Sequence, residues 1–186
     1  RGEFAKKLVQ GVRAAGGIWS LEDLADYHTV EREPLRFTLA NGRELIGAPP
    51  PSAGGMILAQ SLGILERLSW RDTEPLQRSH LVVEALRRAY RDRGQLGDPD
   101  FVASPLRHLL SDQYLDQLAS SIDPDQATPS SALPPAPRWR EGEHTTHFAV
   151  IDAEGNAVAA TLSLNMMFGA AFSVPGTGVL LNDEMD

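Results

Sequence analysis

Apolar residues recur at helical spacing at the start of the chain. The first such pattern covers residues 3–14, and Gly16-Gly17 ends it. Its apolar positions are Phe4, Leu8, Val9 and Val12. Ser20 followed by Asp23 resembles a capping box, in which each side chain accepts a hydrogen bond from the other residue's backbone N–H. We therefore predict a second, short helix that runs through Tyr27.

The pattern then changes from helical to alternating. Residues 35–46 predict a hairpin with a two-residue turn at Asn41-Gly42. The three prolines at positions 49–51 impose an extended backbone ahead of the next helical pattern, which covers residues 56–68. We expect Ser52 to cap that helix, because serine is favoured at the N-cap.

The clearest helical pattern covers residues 79–93. We predict that its apolar stripe faces the core and that its charged residues lie elsewhere on the helix. The stripe contains Val82, Leu86, Ala89 and Tyr90, and the charged residues are Arg87, Arg88, Arg91 and Asp92. Two shorter helices are expected at residues 105–110 and 112–121.

Residues 144–165 predict a second hairpin, in which hydroxyl groups face one another. Glu154-Gly155 suits a three-residue loop with glycine in the left-handed position. A loop centred on Glu154 gives these pairs: Asp152 with Asn156, His147 with Thr161, and Thr145 with Ser163. Opposed Cβ atoms lie about 4.5–5.5 Å apart, so Thr145 and Ser163 would be neighbours. If the backbone were cut before Thr145, that threonine would carry its own base, although periodicity alone fits an ordinary hairpin with a polar face.

Composition excludes several classes of function. Lys+Arg is 17 against Asp+Glu 25, the formal net charge is −8, and no basic cluster occurs, so we expect no nucleic-acid partner. The absence of cysteine excludes disulfides and thiolate metal sites. No apolar run reaches the ~18 residues of a membrane span. His144 and His147 would point to opposite faces of a strand, and we therefore expect no metal site there.

The composition divides the chain into three regions. Residues 122–144 are rich in proline and predict a linker between residues 1–121 and residues 145–186. The chain begins without methionine, in a helical pattern, and stops after an apolar run. We therefore expect it to be an internal segment of a longer protein.

Short motifs spread over nearly the whole chain carry a resemblance. They are Gly16-Gly17, Glu31-Arg32-Glu33-Pro34, residues 49–55, Arg88-Ala89-Tyr90, Asp92-Arg93, Thr145-Thr146-His147-Phe148, residues 152–156, Leu164-Asn165, Phe168-Gly169, residues 175–178 and residues 180–186. In this order the motifs closely resemble the gamma-glutamyltransferases, also called glutathione hydrolases, of the N-terminal nucleophile hydrolase superfamily.

The resemblance implies an α+β fold, part of a four-layer αββα sandwich that is incomplete in this chain. It also implies a precursor that cuts itself between His144 and Thr145 into a large and a small subunit. Thr145 would be the catalytic nucleophile, with its freed α-amino group as the base, and Ser163 matches a position where the family usually carries a threonine. Asn165 and Glu184 match positions that recognise the α-carboxylate and α-amino ends of the glutamyl group. No cofactor or metal is implied.

The implied reaction transfers a glutamyl group from a donor such as glutathione to water, an amino acid or a peptide, in the periplasm or outside the cell. A relative with another acyl specificity, such as a cephalosporin-acylase-like or oxamate-type amidohydrolase, is one alternative. A non-catalytic homologue that acts as a binding module is another. Glu184 favours the glutamyl group, whereas Met166-Met167 adds apolar bulk beside Asn165. The family's carboxylate-binding arginine, its amino-binding aspartate and its oxyanion-hole glycines match no position among these residues, so we expect the isolated segment to be inactive.

Overall fold

The computed structural model describes residues 2–133 and 144–183, with His144 described by its backbone, as two compact units. Residues 2–30 and 144–183 belong to the first unit, and residues 31–133 form the second. In chain order the elements are α1 (Gly2–Ala14), α2 (Leu21–Asp26), β1 (Leu35–Thr38), β2 (Glu44–Gly47), α3 (Gly54–Arg67), α4 (Pro75–Arg93), α5 (Leu106–Leu109), α6 (Asp112–Ser120), β3 (His144–Ile151) and β4 (Ala157–Asn165). This mixture of helices and small antiparallel sheets confirms the predicted α+β class.

Helix α1 and the capping box are confirmed in the first unit. Leu8 and Val12 of α1 are buried against Val174. Ser20 caps α2: its hydroxyl accepts the Asp23 N–H at 3.2 Å, and the Asp23 carboxylate accepts the Ser20 N–H at 2.7 Å. Both elements arise from local sequence, because the apolar spacing buries one helix face and the cap satisfies backbone donors at the start of the next helix.

The core of the second unit lies among α3, α4 and α6. Its buried apolar residues are Ile64, Leu65, Leu81, Ala85, Leu115, Leu118, Ala119 and Ile122. A second cluster joins β1 to α3 and α4 through Leu35, Met56, Ile57, Ala59 and Ala89. Across residues 2–133 and 144–183, no helix has both the length and the apolar character needed to cross a bilayer.

Helix α3 begins at Gly54, two residues before the predicted start, and the prediction that Ser52 caps it was wrong. Ala53 occupies the N-cap position and makes no side-chain capping bond. The first turn instead lies against the end of β2, where a Cβ added to Gly55 would be 2.5 Å from the Ala48 carbonyl oxygen. Only glycine permits this close approach of the two backbones, so Gly55 allows the first turn of α3 to lie against the end of β2.

The loop between β1 and β2 contains three residues, so the predicted two-residue turn was also wrong. The Leu39 N–H donates to the Arg43 carbonyl at 2.8 Å, and residues 40–42 form the loop. A two-residue turn would use the Ala40 N–H in the ladder. That N–H instead donates to both carboxylate oxygens of Glu66 in α3, at 3.1 and 3.0 Å. The three-residue loop therefore leaves the Ala40 N–H free to bond Glu66 of α3.

Helix α4 packs Val82, Leu86 and Ala89 of the predicted stripe against the core, but it also buries charge that was expected to lie elsewhere. It begins at Pro75, four residues before the predicted start, because proline is well suited to the first helical position. Glu84, Arg88 and Asp92 are at most 1% exposed, whereas the side chain of Tyr90 is 54% exposed. The charges can be buried because each has an ion-pair partner.

Glu84 lies at the centre of the buried network. Its carboxylate accepts hydrogen bonds from Arg87 at 2.5 Å, from Arg88 at 2.6 Å and from the Thr128 N–H at 3.2 Å. Burial alone would raise the pKa of Glu84, but the hydrogen bonds from Thr128, Arg88 and Arg87 outweigh it and lower the pKa to about 2. Arg88 also donates from Nε to the Ser121 hydroxyl at 2.8 Å, which ties the chain after α6 to α4.

Candidate active site

The hairpin of β3 and β4 has the predicted register, and its three-residue loop determines that register. The Asp152 N–H donates to the Asn156 carbonyl at 3.0 Å, and Gly155 takes the left-handed position with φ +87°. The Asp152 carboxylate accepts the side-chain and backbone N–H groups of Asn156, each at 2.8 Å. These bonds lower the pKa of Asp152 below its ordinary value. The loop therefore fixes which residues face one another along the strands.

This register brings two hydroxyl groups together at the start of β3. Thr145 pairs with Ser163, and their side-chain oxygens lie 2.9 Å apart in a hydrogen bond that either hydroxyl can donate. Two residues further along the same face, His147 Nδ1 lies 2.9 Å from the Thr161 hydroxyl. A threonine hydroxyl held beside a second hydroxyl is the arrangement that the spacing predicted.

The ladder changes register between His144 and Thr145. His144 pairs with Asn165 and Thr145 pairs with Ser163, so Leu164 is an extra residue in β4. Such bulges bend a strand and occur often beside active sites. The peptide bond that the family resemblance identifies as the processing site therefore lies at an irregular step of the ladder.

Asp183 forms hydrogen bonds with three residues at the end of β4. Its N–H donates to the Leu164 carbonyl at 3.3 Å, and its Oδ1 accepts the Met166 N–H at 3.0 Å. Its carbonyl oxygen accepts a long hydrogen bond of 3.5 Å from the Asn165 side chain. Glu184 lies outside the described residues, so its role stays a prediction.

Sequence reasoning did not identify Asp183, although a signal was present. Aspartate side chains often accept backbone N–H groups in turns, and this aspartate directly precedes Glu184 in the last motif. The missing information was spatial. Its partner Met166 lies 17 residues earlier in the chain, and no periodicity connects the two positions.

One face of the hairpin is apolar and uncovered. The side chains on it are Phe148, Val150, Val158 and Leu162, each between 45% and 60% exposed. Two strands with an uncovered apolar face lack the packing that gives a sheet independent stability. Among the described residues, no three histidine, aspartate or glutamate side chains come close enough to hold a metal ion.

Comparison with solved structures identifies the class of fold. The chain resembles a solved structure of gamma-glutamyltranspeptidase from Pseudomonas nitroreducens complexed with L-DON, with a TM-score of 0.68 and 34% sequence identity over 73% of this chain and 42% of that one. That solved structure has the N-terminal nucleophile hydrolase fold, and this chain covers part of it. The family model described as gamma-glutamyltranspeptidase matches residues 1–186, and the chain belongs to that family.

Two curated relatives with different names are similar to this chain. The glutathione hydrolase proenzyme of Pseudomonas sp. strain A14 is 43% identical over 189 residues, covering 100% of this chain and 33% of that protein. The acylase ACY 1 proenzyme of Pseudomonas sp. strain SE83 is 37% identical over 190 residues, covering 99% of this chain and 33% of that protein. The chain thus spans about a third of the length of these relatives.

Proposed function

We propose that the full-length protein is an enzyme that cleaves itself before Thr145 and then transfers or hydrolyses gamma-glutamyl groups. The observation that carries this proposal is the 2.9 Å contact between the Thr145 and Ser163 hydroxyls, beside the register shift at His144. Family membership supports it, because the relative from Pseudomonas sp. strain A14 is named a glutathione hydrolase proenzyme.

Self-cleavage begins with the Thr145 hydroxyl. Its oxygen attacks the carbonyl carbon of His144, the bond to the Thr145 nitrogen breaks, and the hydroxyl proton passes to that nitrogen. The product is an ester between His144 and the threonine oxygen. Water hydrolyses this ester and leaves a carboxylate on His144 and a free amino group on Thr145. The register shift favours the attack, because a residue pair outside the regular ladder has fewer constraints on its peptide group.

Turnover uses the same oxygen a second time. The free α-amino group has an ordinary pKa of ~7.7–8.0, so near neutral pH a fraction of it can accept the Thr145 hydroxyl proton. The oxygen attacks the gamma-carbonyl carbon of the donor, and the departing amine receives the proton. Water or an acceptor amine then cleaves the acyl ester. Ser163 supports this chemistry, since its hydroxyl can donate to the Thr145 oxygen and orient it.

The glutamyl group is the acyl group that we favour. Asn165 lies at the end of β4, two residues after Ser163, and Glu184 follows Asp183 in the chain. A carboxylate such as Glu184 would form charge-assisted hydrogen bonds with the substrate ammonium. The similarity to the acylase ACY 1 proenzyme supports a second candidate, an amidohydrolase with a different acyl group.

We infer that residues 1–186 alone are inactive. The apolar face of the hairpin is uncovered, and the family's oxyanion-hole glycines match no position among these residues. Loss of one oxyanion-hole donor typically lowers the rate about 10²–10³-fold. Measurable hydrolysis of a gamma-glutamyl anilide by the isolated segment would contradict this inference.

Mass spectrometry of the full-length protein tests the proposal. We expect two chains, the smaller of which begins at Thr145, and a single chain from the variant Thr145→Ala. Thr145→Ser should still be cleaved, because it keeps a hydroxyl. Thr146→Ala is the matched control: this neighbouring threonine pairs with Leu162 on the other face, and its loss should leave cleavage intact. A wild-type protein that stays uncleaved and turns over no donor would support the binding-module alternative instead.

Substrate assays separate the two candidate activities. A gamma-glutamyl anilide and a glutaryl anilide differ in the α-amino group that Glu184 is proposed to bind. Preference for the gamma-glutamyl compound supports the glutamyl assignment, and preference for the glutaryl compound supports the acylase alternative. Ser163→Ala should slow turnover of the preferred anilide, while Ser163→Thr should retain it because the hydroxyl remains.

A further inference from the structure

Asp183 contacts three consecutive residues at the end of β4. Its N–H bonds the Leu164 carbonyl at 3.3 Å, its carbonyl oxygen receives the Asn165 side chain at 3.5 Å, and its carboxylate receives the Met166 N–H at 3.0 Å. We call Asp183 with residues 164–166 the strand-end clasp. Because the contacts reach a carbonyl, a side chain and an N–H in sequence, they restrict both the position and the orientation of the segment.

The segment needs such support because of its backbone. Asn165 has φ +69°, a left-handed conformation that most residues other than glycine avoid and that asparagine tolerates better than most. Leu164, just before it, is the extra residue of the register shift. A strand that ends in a bulge and a left-handed residue leaves ladder groups without strand partners. Asp183 bonds two of these groups, the Leu164 carbonyl and the Met166 N–H.

The clasp contains or adjoins in sequence two residues that the family resemblance assigns to substrate recognition. Asp183 is followed directly by Glu184, and the family resemblance matches Asn165 and Glu184 to the residues that recognise the glutamyl group. These two residues are 19 positions apart, yet Asp183 bonds the first and is covalently linked to the second.

We propose that Asp183 is a positioning residue for donor binding. Through the strand-end clasp it holds the Asn165 side chain in a fixed position, from which the amide can reach the α-carboxylate of the glutamyl group. This inference rests on the proposed function, since it names a residue that acts on the same site through Asn165. The carboxylate itself is engaged with the Met166 N–H.

Kinetics of the processed full-length enzyme test the role. Asp183→Ala removes the acceptor for the Met166 N–H and should raise KM for a gamma-glutamyl anilide about tenfold, a factor that corresponds to about 1.4 kcal/mol, with kcat within about twofold of wild type. Asp183→Asn keeps an acceptor oxygen and should restore KM to within about threefold. Asp23→Ala is the matched control, because it also removes a carboxylate that accepts a backbone N–H, at 2.7 Å, and should leave KM unchanged.

Hydrogen exchange supplies a readout that does not require activity. In full-length Asp183→Ala the amide of Met166 should exchange faster than in wild type, and in Asp23→Ala it should not. An unchanged KM in Asp183→Ala, or an Asp183→Asn variant as impaired as the alanine variant, overturns the positioning role. If the wild type shows neither cleavage nor donor turnover, the proposed function fails and exchange alone decides whether the clasp exists: faster exchange supports it, and unchanged exchange overturns it.

Discussion

Removing the charge of the buried Glu84 carboxylate should lower the free energy of unfolding by several kcal/mol. Glu84→Gln keeps the size of the side chain but removes the charge, and it places an amide NH₂ beside donors of Arg87 and Arg88. The carboxylate is 1% exposed, and Arg88 is buried to the same degree. The substitution therefore leaves a guanidinium inside the fold without its counterion, which typically costs about 3–5 kcal/mol.

The pKa of Glu84 gives an independent value. It falls from 4.5 to about 2 on folding, and each unit corresponds to about 1.36 kcal/mol, so ionised Glu84 contributes roughly 3 kcal/mol. Because folding lowers this pKa, the stabilisation is fully present above pH 4.5 and is lost as the pH falls toward 2. Between pH 6 and pH 3 the wild type should lose about 2 kcal/mol that Glu84→Gln does not lose.

Urea unfolding of the full-length protein, followed by helical circular dichroism at pH 6 and pH 3, measures this difference. The control is Glu44→Gln, the same substitution in an exposed ion pair with Arg36 at 2.8 Å, which should cost under about 1 kcal/mol. Equal losses of unfolding free energy in the two variants at pH 6 would contradict this role of Glu84. A difference in stability between wild type and Glu84→Gln that did not narrow at pH 3 would contradict it as well.

Two further predictions concern local structure. Gly55→Ala should destabilise the full-length protein by about 2 kcal/mol or more in urea unfolding, because its Cβ would lie 2.5 Å from the Ala48 carbonyl oxygen. Gly54→Ala, whose Cβ would have no neighbour nearer than 3.9 Å, should be neutral or stabilising, and equal effects of the two substitutions would contradict this account. For Asp152, NMR titration should show a pKa below the ordinary value that rises toward it in Asn156→Ala, with the hairpin loop losing stability as the pH falls through the lowered pKa. An unchanged pKa in Asn156→Ala would exclude that hydrogen bond as the cause.

Local signals in the sequence predicted elements whose causes are local. The Ser20 capping box and the Glu154-Gly155 loop depend on a few adjacent residues, and both formed as predicted. The errors occurred where a distant contact changes a local preference. The Ala40 N–H donates to Glu66 instead of joining the ladder, and the loop is one residue longer than predicted. Gly55 allows the first turn of α3 to lie against the end of β2.

The burial of charge on α4 could not be predicted from periodicity. A helical pattern separates apolar from polar positions, but it does not show whether a polar position has a partner inside the fold. Glu84 and Arg88 are four residues apart and lie on one helix face, which suits either an exposed or a buried pair. The deciding contacts come from Ser121 and Thr128, more than 30 residues later.

The candidate site also has one part that the sequence predicted and one part that it did not. The distance between the Thr145 and Ser163 hydroxyls depends on the register of one hairpin, and a three-residue loop determines that register, so sequence alone predicted the pair. The bulge at Leu164 and its bonds to Asp183 involve a segment that returns from outside the hairpin, and the ladder does not predict them. A one-residue change in loop length would turn one of the two hydroxyls to the opposite face. The hydroxyl pair therefore depends on the loop end of the hairpin, whereas the proposed contact with the glutamyl group depends on the opposite end, where β4 stops.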